Sequence, residues 1–428
     1  MFLIPDRDIV ILSAARTPIG RFAGSLSAFD AIGLGALAIG AAVSRSGIDP
    51  KRIDTVNMGI VVSAGLGLAP AKAAAMKAGL SPEAHVRSVE SVCGSAMDAI
   101  GLAVESLIVG TARIAVAGGM ESRTTAPYLI GPTFQRHTDS YRRGERLAVK
   151  RAGAYRFHLS ENPEEQLGAT GLVDPTTYDG LFWPAEKMFM RQYALDFAAA
   201  HGITVEEVNA LAAESHRRAR EATGQGLFKD EIVPAGEVEA DDLVPEERLR
   251  KELEENPDDL ASLYNSSTPA DAAAAVVLTT GSIVKELGLE PMARVMGVAR
   301  LDGPPSEFLI APVRSAEMLI GRLREAGVLQ ASACDGQAKA CGTPTDFTIA
   351  ECNEAFGIQL PLFHRAFPGV EINLHGGAIA LGHPLGAAGA RITTTLLYAM
   401  KRYRHRRGFS TLCYGGGGGY TLAVERAG

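Results

Sequence analysis

Cys93 lies in the run Ser91-Val92-Cys93-Gly94-Ser95-Ala96, where small neighbours leave a thiol accessible to a substrate. Ala84 to Val92 reads as extended chain and Ser95 to Leu107 carries apolar residues at helical spacing, so Cys93 falls at a strand-to-helix turn. A helix N-terminus favours the thiolate, which is the attacking form, and a lowered pKa is expected there. Far along the chain, the glycine-rich run Asn373 to Arg391 holds His375 and His383. Its glycines allow backbone to approach a ligand closely, and His383, between Gly382 and Pro384, suits proton transfer. His375 reads as a structural histidine. A third run, Thr411-Leu412-Cys413-Tyr414-Gly415-Gly416-Gly417, places a second thiol at the end of a short strand, followed by backbone N–H groups free to hold an oxyanion. A fourth, Glu351-Cys352-Asn353-Glu354-Ala355-Phe356, adds a polar pair after the strand-like Phe347 to Ala350. Nucleophile, base, acid and oxyanion donors together describe acyl transfer through a covalent intermediate.

Those four runs need a scaffold, and short Val/Ile/Leu strands alternating with Ala-rich helices predict an α/β fold. Strand-like segments fall at Asp8 to Leu12, Thr55 to Val61 and Ile114 to Ala117, with helices at Ala31 to Ser44, Pro70 to Ala78 and Ser95 to Leu107. The C-terminal portion repeats the pattern, with Met292 to Ala299, a helix over Pro312 to Ala326, Phe347 to Glu351, a helix from Ala355, and final strands around Thr411 and Thr421. In that repeat the histidine run takes the place that Cys93 takes in the first half. Between the halves, about Glu121 to Leu260, prolines and charges are dense, and Glu206 to Ala222 predicts a helix polar on one face. Gly131 to Tyr178 is an arginine-rich surface excursion by composition.

Bulk composition narrows the class. At 428 residues and 46% hydrophobic the chain can bury two or three domain cores. A net charge of −7 gives no electrostatic basis for nucleic acid as a main partner. The basic run Lys401 to Arg407 reads as the solvated end of a helix before Gly408. No apolar run of transmembrane length is expected, which predicts no membrane insertion and a cytoplasmic location. Five cysteines argue for a reducing compartment rather than a disulfide framework. Cys334 and Cys341 lack a histidine or CxxC neighbour, so no metal site is expected, and His137 and His158 read as solvated.

Taken with Val10 to Gly20, Gly118-Gly119-Met120-Glu121-Ser122 and Asn265-Ser266-Ser267 followed by Asp271-Ala272-Ala273-Ala274, the four runs resemble the thiolase family over most of the chain. The resemblance implies two similar α/β halves in a helix-sheet-helix-sheet-helix core with an inserted loop domain. The implied boundaries are 1–120 plus 261–288 for the first half, 121–260 for the loop domain and 289–428 for the second half. It further implies Cys93 as nucleophile, His383 as its base, and Cys413 as the acid that protonates the departing enolate. Backbone N–H groups of Cys93 and Gly415 would form one oxyanion hole, with His383 and a water held by Asn353 forming the other. Coenzyme A is then a substrate, with no tightly bound cofactor. The implied assembly is a homodimer or homotetramer, with a partner enzyme of fatty acid oxidation as a further expectation.

Departures from the family pattern bear on substrate. Phe189-Met190-Arg191 stands where biosynthetic acetoacetyl-CoA thiolases carry His-Met-Gly, which suits a more apolar acyl chain. Ser267, Met190, Phe356 and Phe189 are therefore the expected substrate contacts. The acidic stretch Glu237 to Asp242 replaces a basic loop that meets the nucleotide phosphate, and Ala388 replaces a serine or threonine. The expected reaction is coenzyme A-dependent cleavage of 3-ketoacyl-CoA. Open alternatives are a biosynthetic acetoacetyl-CoA thiolase, a ketoacyl-synthase-like condensing enzyme, and a non-catalytic scaffold or acyl-CoA binder.

Overall fold

The computed structural model describes residues 7–130, 172–329 and 346–427; Cys334, Cys341, His137, His158 and most of the 131–178 excursion lie outside the described residues. One strand plan is used twice. In the first half Ile9–Arg16, Thr55–Gly59, His85–Val89, Ile114–Glu121 and Ala270–Thr280, numbered one to five along the chain, lie side by side in the order 3-2-4-5-1. In the second half Ala293–Asp302, Ile349–Cys352, Glu371–Ile372, Arg407–Tyr414 and Gly418–Arg426 adopt the same order. Strand directions repeat as well. The second strand pairs in parallel with the third and fourth, the fifth runs antiparallel to the fourth, and the first antiparallel to the fifth. A short antiparallel contact of Val10 and Ile11 with Arg294 and Ala293 joins the two halves, and Gly20–Arg21 adds to the strand Ala270–Thr280, making an 11-stranded sheet.

The connection from third to fourth strand carries a helix in each half, Ser95–Val109 and Ala388–Tyr403. These two helices pack on each other between the half-sheets, while Ala31–Ser46 and Pro70–Lys77 cover one outer face and Ala311–Glu325 covers the other. The expected helix-sheet-helix-sheet-helix layering is therefore present. Packing between the half-sheets explains the apolar face of Ser95–Val109, where Ala96, Met97, Ala99, Ile100, Ala103, Val104 and Leu107 are buried, while Glu105, Ile108 and Val109 are exposed. The stretch Val92–Val109 is in fact long and apolar enough to cross a membrane by composition, contrary to the expectation above; it serves as a central core helix, with 56% of it buried. Ala31–Ser46 starts where Asp30 accepts from the Gly33 amide at 2.6 Å and stops at Gly47 in the left-handed region.

Three segments depart from the sequence reading. Ala270–Thr280 is an eleven-residue central strand, although its alanines carry little strand propensity; pairing on both sides overrides that weak preference. The strand expected over Ile114 to Ala117 runs on through Gly118 to Glu121. The helix expected from Ala355 begins at Leu360 after a 3-10 turn over Gly357–Gln359, with Pro361 in its first turn where no amide donor is needed.

Glycine lets the halves close on each other. A β-carbon at Gly119 would sit 1.9 Å from the Gly386 carbonyl oxygen, and one at Gly389 would sit 2.5 Å from the Met97 nitrogen. The histidine run thus presses directly on the helix that follows Cys93.

Candidate active site

Each half contributes the start of its central helix. Cys93 is the middle residue of a 3-10 turn, Val92–Gly94, that leads into Ser95–Val109. Val92 holds φ at +49°, a left-handed conformation that is costly for a β-branched residue, so the turn is a strained elbow. Ser95 Oγ fastens it by accepting from the Ser91 amide at 2.9 Å and donating to the Val92 carbonyl at 2.6 Å. In the second half a matching 3-10 turn, Leu385–Ala387, leads into Ala388–Tyr403, and His383 lies just before it. The His383 amide donates to the Thr268 carbonyl at 2.8 Å.

Two buried carboxylates fix the histidine run. Glu121 accepts from the Gly386 amide at 2.8 Å and from the amides of Val61 and Val62, tying the run to the first half. Glu354 accepts from Ser215 Oγ at 2.7 Å, Asn373 Nδ2 at 2.8 Å and the Ile379 amide at 3.1 Å. Glu354 therefore supports the run from below.

Cys93, His383, Cys413 and Gly415 open onto one cavity of about 730 Å³. All four expected substrate contacts, Ser267, Met190, Phe356 and Phe189, line it too. Asn353 is buried behind His383, with Nδ2 donating to His383 Nε2 at 3.5 Å. Arg391 Nη2 donates to Asn353 Oδ1 at 3.2 Å and so sets the direction of the amide. His383 Nδ1 has no partner among the described residues. His375 is absent from the cavity wall and contacts Tyr403 Oη at 3.1 Å, as a structural histidine would.

Burial controls the electrostatics. Desolvation pushes the Cys93 thiol up to about 12, only partly opposed by the amides of Gly415 and Cys93, which point at the sulfur, and by Arg123. The expected low thiol pKa is therefore reversed: loss of water outweighs the helix terminus. Desolvation, with Arg391 and Arg123, pulls His383 down to about 3. Cys413 is likewise raised well above an ordinary thiol by burial and by the neighbouring thiols Cys93 and Cys352. The resting centre is consequently neutral.

Two residues that the sequence did not single out stand beside these groups. Gln359 Oε1 accepts from Cys413 Sγ at 3.5 Å, while its Nε2 donates to Cys352 Sγ at 3.3 Å and to the Asn353 carbonyl. Arg123, two residues beyond the Ile114–Glu121 strand, is buried and lines the cavity near Cys93. Neither has a sequence signal, because each faces the site only through long-range packing. The acidic stretch also reads differently in three dimensions. Asp241 is buried and accepts two bonds from Arg16, at 2.6 and 2.9 Å, while Asp242 accepts from the Ser25 amide at 2.8 Å nearer the surface. Arg191 pairs with Asp259 through two contacts of 2.8 Å at the cavity wall.

A duplicated 3-2-4-5-1 plan with a thiol at one central helix start, an imidazole at the other and a second thiol at a strand end can be compared with known proteins. Residues 9–282 match the family model "Thiolase, N-terminal domain" and residues 289–426 match "Thiolase, C-terminal domain". The chain belongs to the thiolase family. This thiolase is 34% identical to the acetyl-CoA acetyltransferase of Cupriavidus necator, over 98% of this chain and 99% of the relative. It is 35% identical to an acetyl-CoA acetyltransferase of Escherichia coli, over 98% and 99%. A crystal structure of the Acat5 thiolase from Ascaris suum in complex with coenzyme A superposes with a TM-score of 0.80 at 29% identity, covering 98% of this thiolase and 100% of that chain. This thiolase is an acyltransferase.

Proposed function

We propose that this thiolase cleaves 3-ketoacyl-CoA, with Cys93 as nucleophile, His383 as its base and Cys413 as the acid at the departing carbon. The observation that carries the reading is the convergence of Cys93, His383, Cys413 and Gly415 on one cavity with largely apolar walls, among them Phe189, Met190, Phe308 and Phe356. Because burial disfavours both a free thiolate and an imidazolium, proton transfer from Cys93 to His383 accompanies attack on the keto carbon rather than preceding it. The charge then passes to the former carbonyl oxygen, where fixed donors replace lost water. The bond between C2 and C3 breaks, the enolate of acetyl-CoA takes a proton from Cys413, and the shortened acyl group stays on the Cys93 sulfur. The incoming coenzyme A thiol gives its proton to the Cys413 thiolate and attacks the acyl carbon, and the departing Cys93 sulfur takes back its proton from His383. Asn353 orients His383, and Ser267, whose hydroxyl donates to the Ala355 carbonyl at 2.9 Å, offers its oxygen to the pantetheine arm.

Residues 121–260 act as the cover, since Arg123 and the stretch from Val173 to Gln192 supply much of the cavity wall. A homodimer, alone or doubled, is supported by the half-exposed edge strand His85–Val89, whose outer side pairs with no other strand among the described residues. The test is coenzyme A-dependent loss of absorbance from 3-ketoacyl-CoA thioesters of increasing length, with Cys93→Ala as control. Turnover beyond four carbons, reduced at least about 10⁴-fold by Cys93→Ala, is the expected result. Turnover of acetoacetyl-CoA alone would favour the biosynthetic alternative, and no turnover at all would overturn the reading.

A further inference from the structure

Arg123 is 5% exposed, yet the direct contact of its guanidinium is a bond from Nη2 to the Thr176 carbonyl at 2.7 Å. Its Nε has no partner among the described residues although buried, which is a costly state for a cation. Three carboxylates act on it electrostatically, Glu121, Asp174 and Asp271, but among the described residues none forms an ion pair with it. Glu121 and Asp174 are engaged elsewhere, and Asp271 is engaged through Oδ1, its buried Oδ2 having no partner among the described residues. Glu121 is held by the amides of Val61, Val62 and Gly386. Asp174 caps the helix Pro175–Leu181 by accepting from the Thr176 amide at 2.8 Å and from the hydroxyls of Thr176 at 2.9 Å and Thr177 at 3.2 Å. Asp271 Oδ1 takes the amides of Arg123 and Thr124, at 2.7 and 3.1 Å. Burial also pushes Glu121 and Asp271 upward, which weakens their hold on the cation.

The Arg123 side chain borders the space where an acyl group must lie. Arg123 lines the same cavity as Cys93, together with Leu181 and Leu385. An apolar wall alone would serve a hydrocarbon chain; a buried guanidinium in that wall is a penalty for such a chain and an advantage for one ending in an anion. We propose that Arg123 receives a carboxylate at the far end of the acyl group, so that the substrates of this site are 3-ketoacyl thioesters of dicarboxylic acids. This rests on the cleavage reading above and names its substrate class. The planar fork of arginine matches a carboxylate, and a charge-assisted pair there replaces solvent at both groups.

The experiment compares kcat/KM for 3-ketoadipyl-CoA with that for 3-ketohexanoyl-CoA, two thioesters of equal carbon number, and repeats it for the eight-carbon pair. The full chain is expected to favour the carboxylated member of at least one pair by about 10- to 100-fold. Arg123→Met is expected to collapse that ratio to about one or below, and Arg123→Lys, which keeps charge without the fork, to leave a ratio in between. A ratio near one in the unaltered chain, with both thioesters turned over, overturns the inference while leaving the cleavage reading intact. Loss of both activities by the same factor in Arg123→Met also overturns it, because that assigns Arg123 to Cys93 rather than to substrate. Should Arg123→Met fail to fold, the ratio in the unaltered chain decides. Failure to turn over any thioester defeats the cleavage reading itself.

Discussion

The two halves share a strand order and a central helix, yet they prepare the starts of those helices in different ways. In the first half the chain enters through a strained, three-residue elbow and presents a thiol. In the second half it enters through a glycine-rich run, held by the buried carboxylates Glu121 and Glu354, and presents an imidazole two residues ahead of the equivalent turn. The strand ends differ similarly. The fourth strand finishes in Glu121 in one half and leads Arg123 to the cavity, whereas its counterpart carries Cys413 and leads to Gly415. Duplication supplies two equivalent positions facing each other, and divergence places a thiol at one and an imidazole at the other. Ligand sites at the carboxyl ends of parallel strands follow the usual rule for open α/β sheets.

Removing the imidazole from its half tests that division most severely. His383→Ala is expected to lower kcat by about 10³-fold or more, measured on the same thioester as the unaltered chain, with Cys93 still present. A loss under tenfold would mean that the second half does not supply the base. Next in size is the pH response of the first half. With the Cys93 thiol near 12, the thiolate fraction rises about tenfold per pH unit, so alkylation of the resting protein by iodoacetamide should climb roughly a thousandfold from pH 7 to 10 without a plateau. A plateau near neutrality would reveal a resting thiolate–imidazolium pair and refute the neutral centre. Mass spectrometry of the Cys93 peptide reads this directly.

The seam between the halves is open to a smaller perturbation. Gly119→Ala would place its β-carbon against the Gly386 carbonyl, and the forced separation should cost about 1–3 kcal/mol in a denaturant titration, with activity falling as His383 moves away from Cys93. Unchanged stability and activity would show that the contact is slack. Smallest is the effect of Gln359→Leu, which removes the acceptor for the Cys413 thiol and the donor to Cys352 and the Asn353 carbonyl, with no direct bond to Cys93 or His383 lost. Exchange of the acetyl-CoA methyl protons with deuterated water should drop about tenfold, whereas acyl exchange through Cys93 should change less than about threefold. Equal loss of both would mean that Gln359 supports the fold rather than the second thiol.

That Cys93 and His383 come together was legible in the sequence because a thiol at a helix start and a histidine among glycines carry local signatures, and Cys413 and Asn353 because each follows a short strand-like run. Alternating apolar strands and alanine-rich helices likewise announced the α/β class and the internal repeat. Ala270–Thr280 was hidden because its strand character comes from neighbours on both sides rather than from its own residues. Gln359 and Arg123 were hidden for a related reason: hydrogen-bond partners far away in sequence decide where a polar side chain finds itself buried. The direction of the thiol pKa was decided by tertiary structure alone. Local sequence places Cys93 at a helix terminus, which favours charge, but only the packed halves expel water from it, and desolvation is the stronger of the two effects.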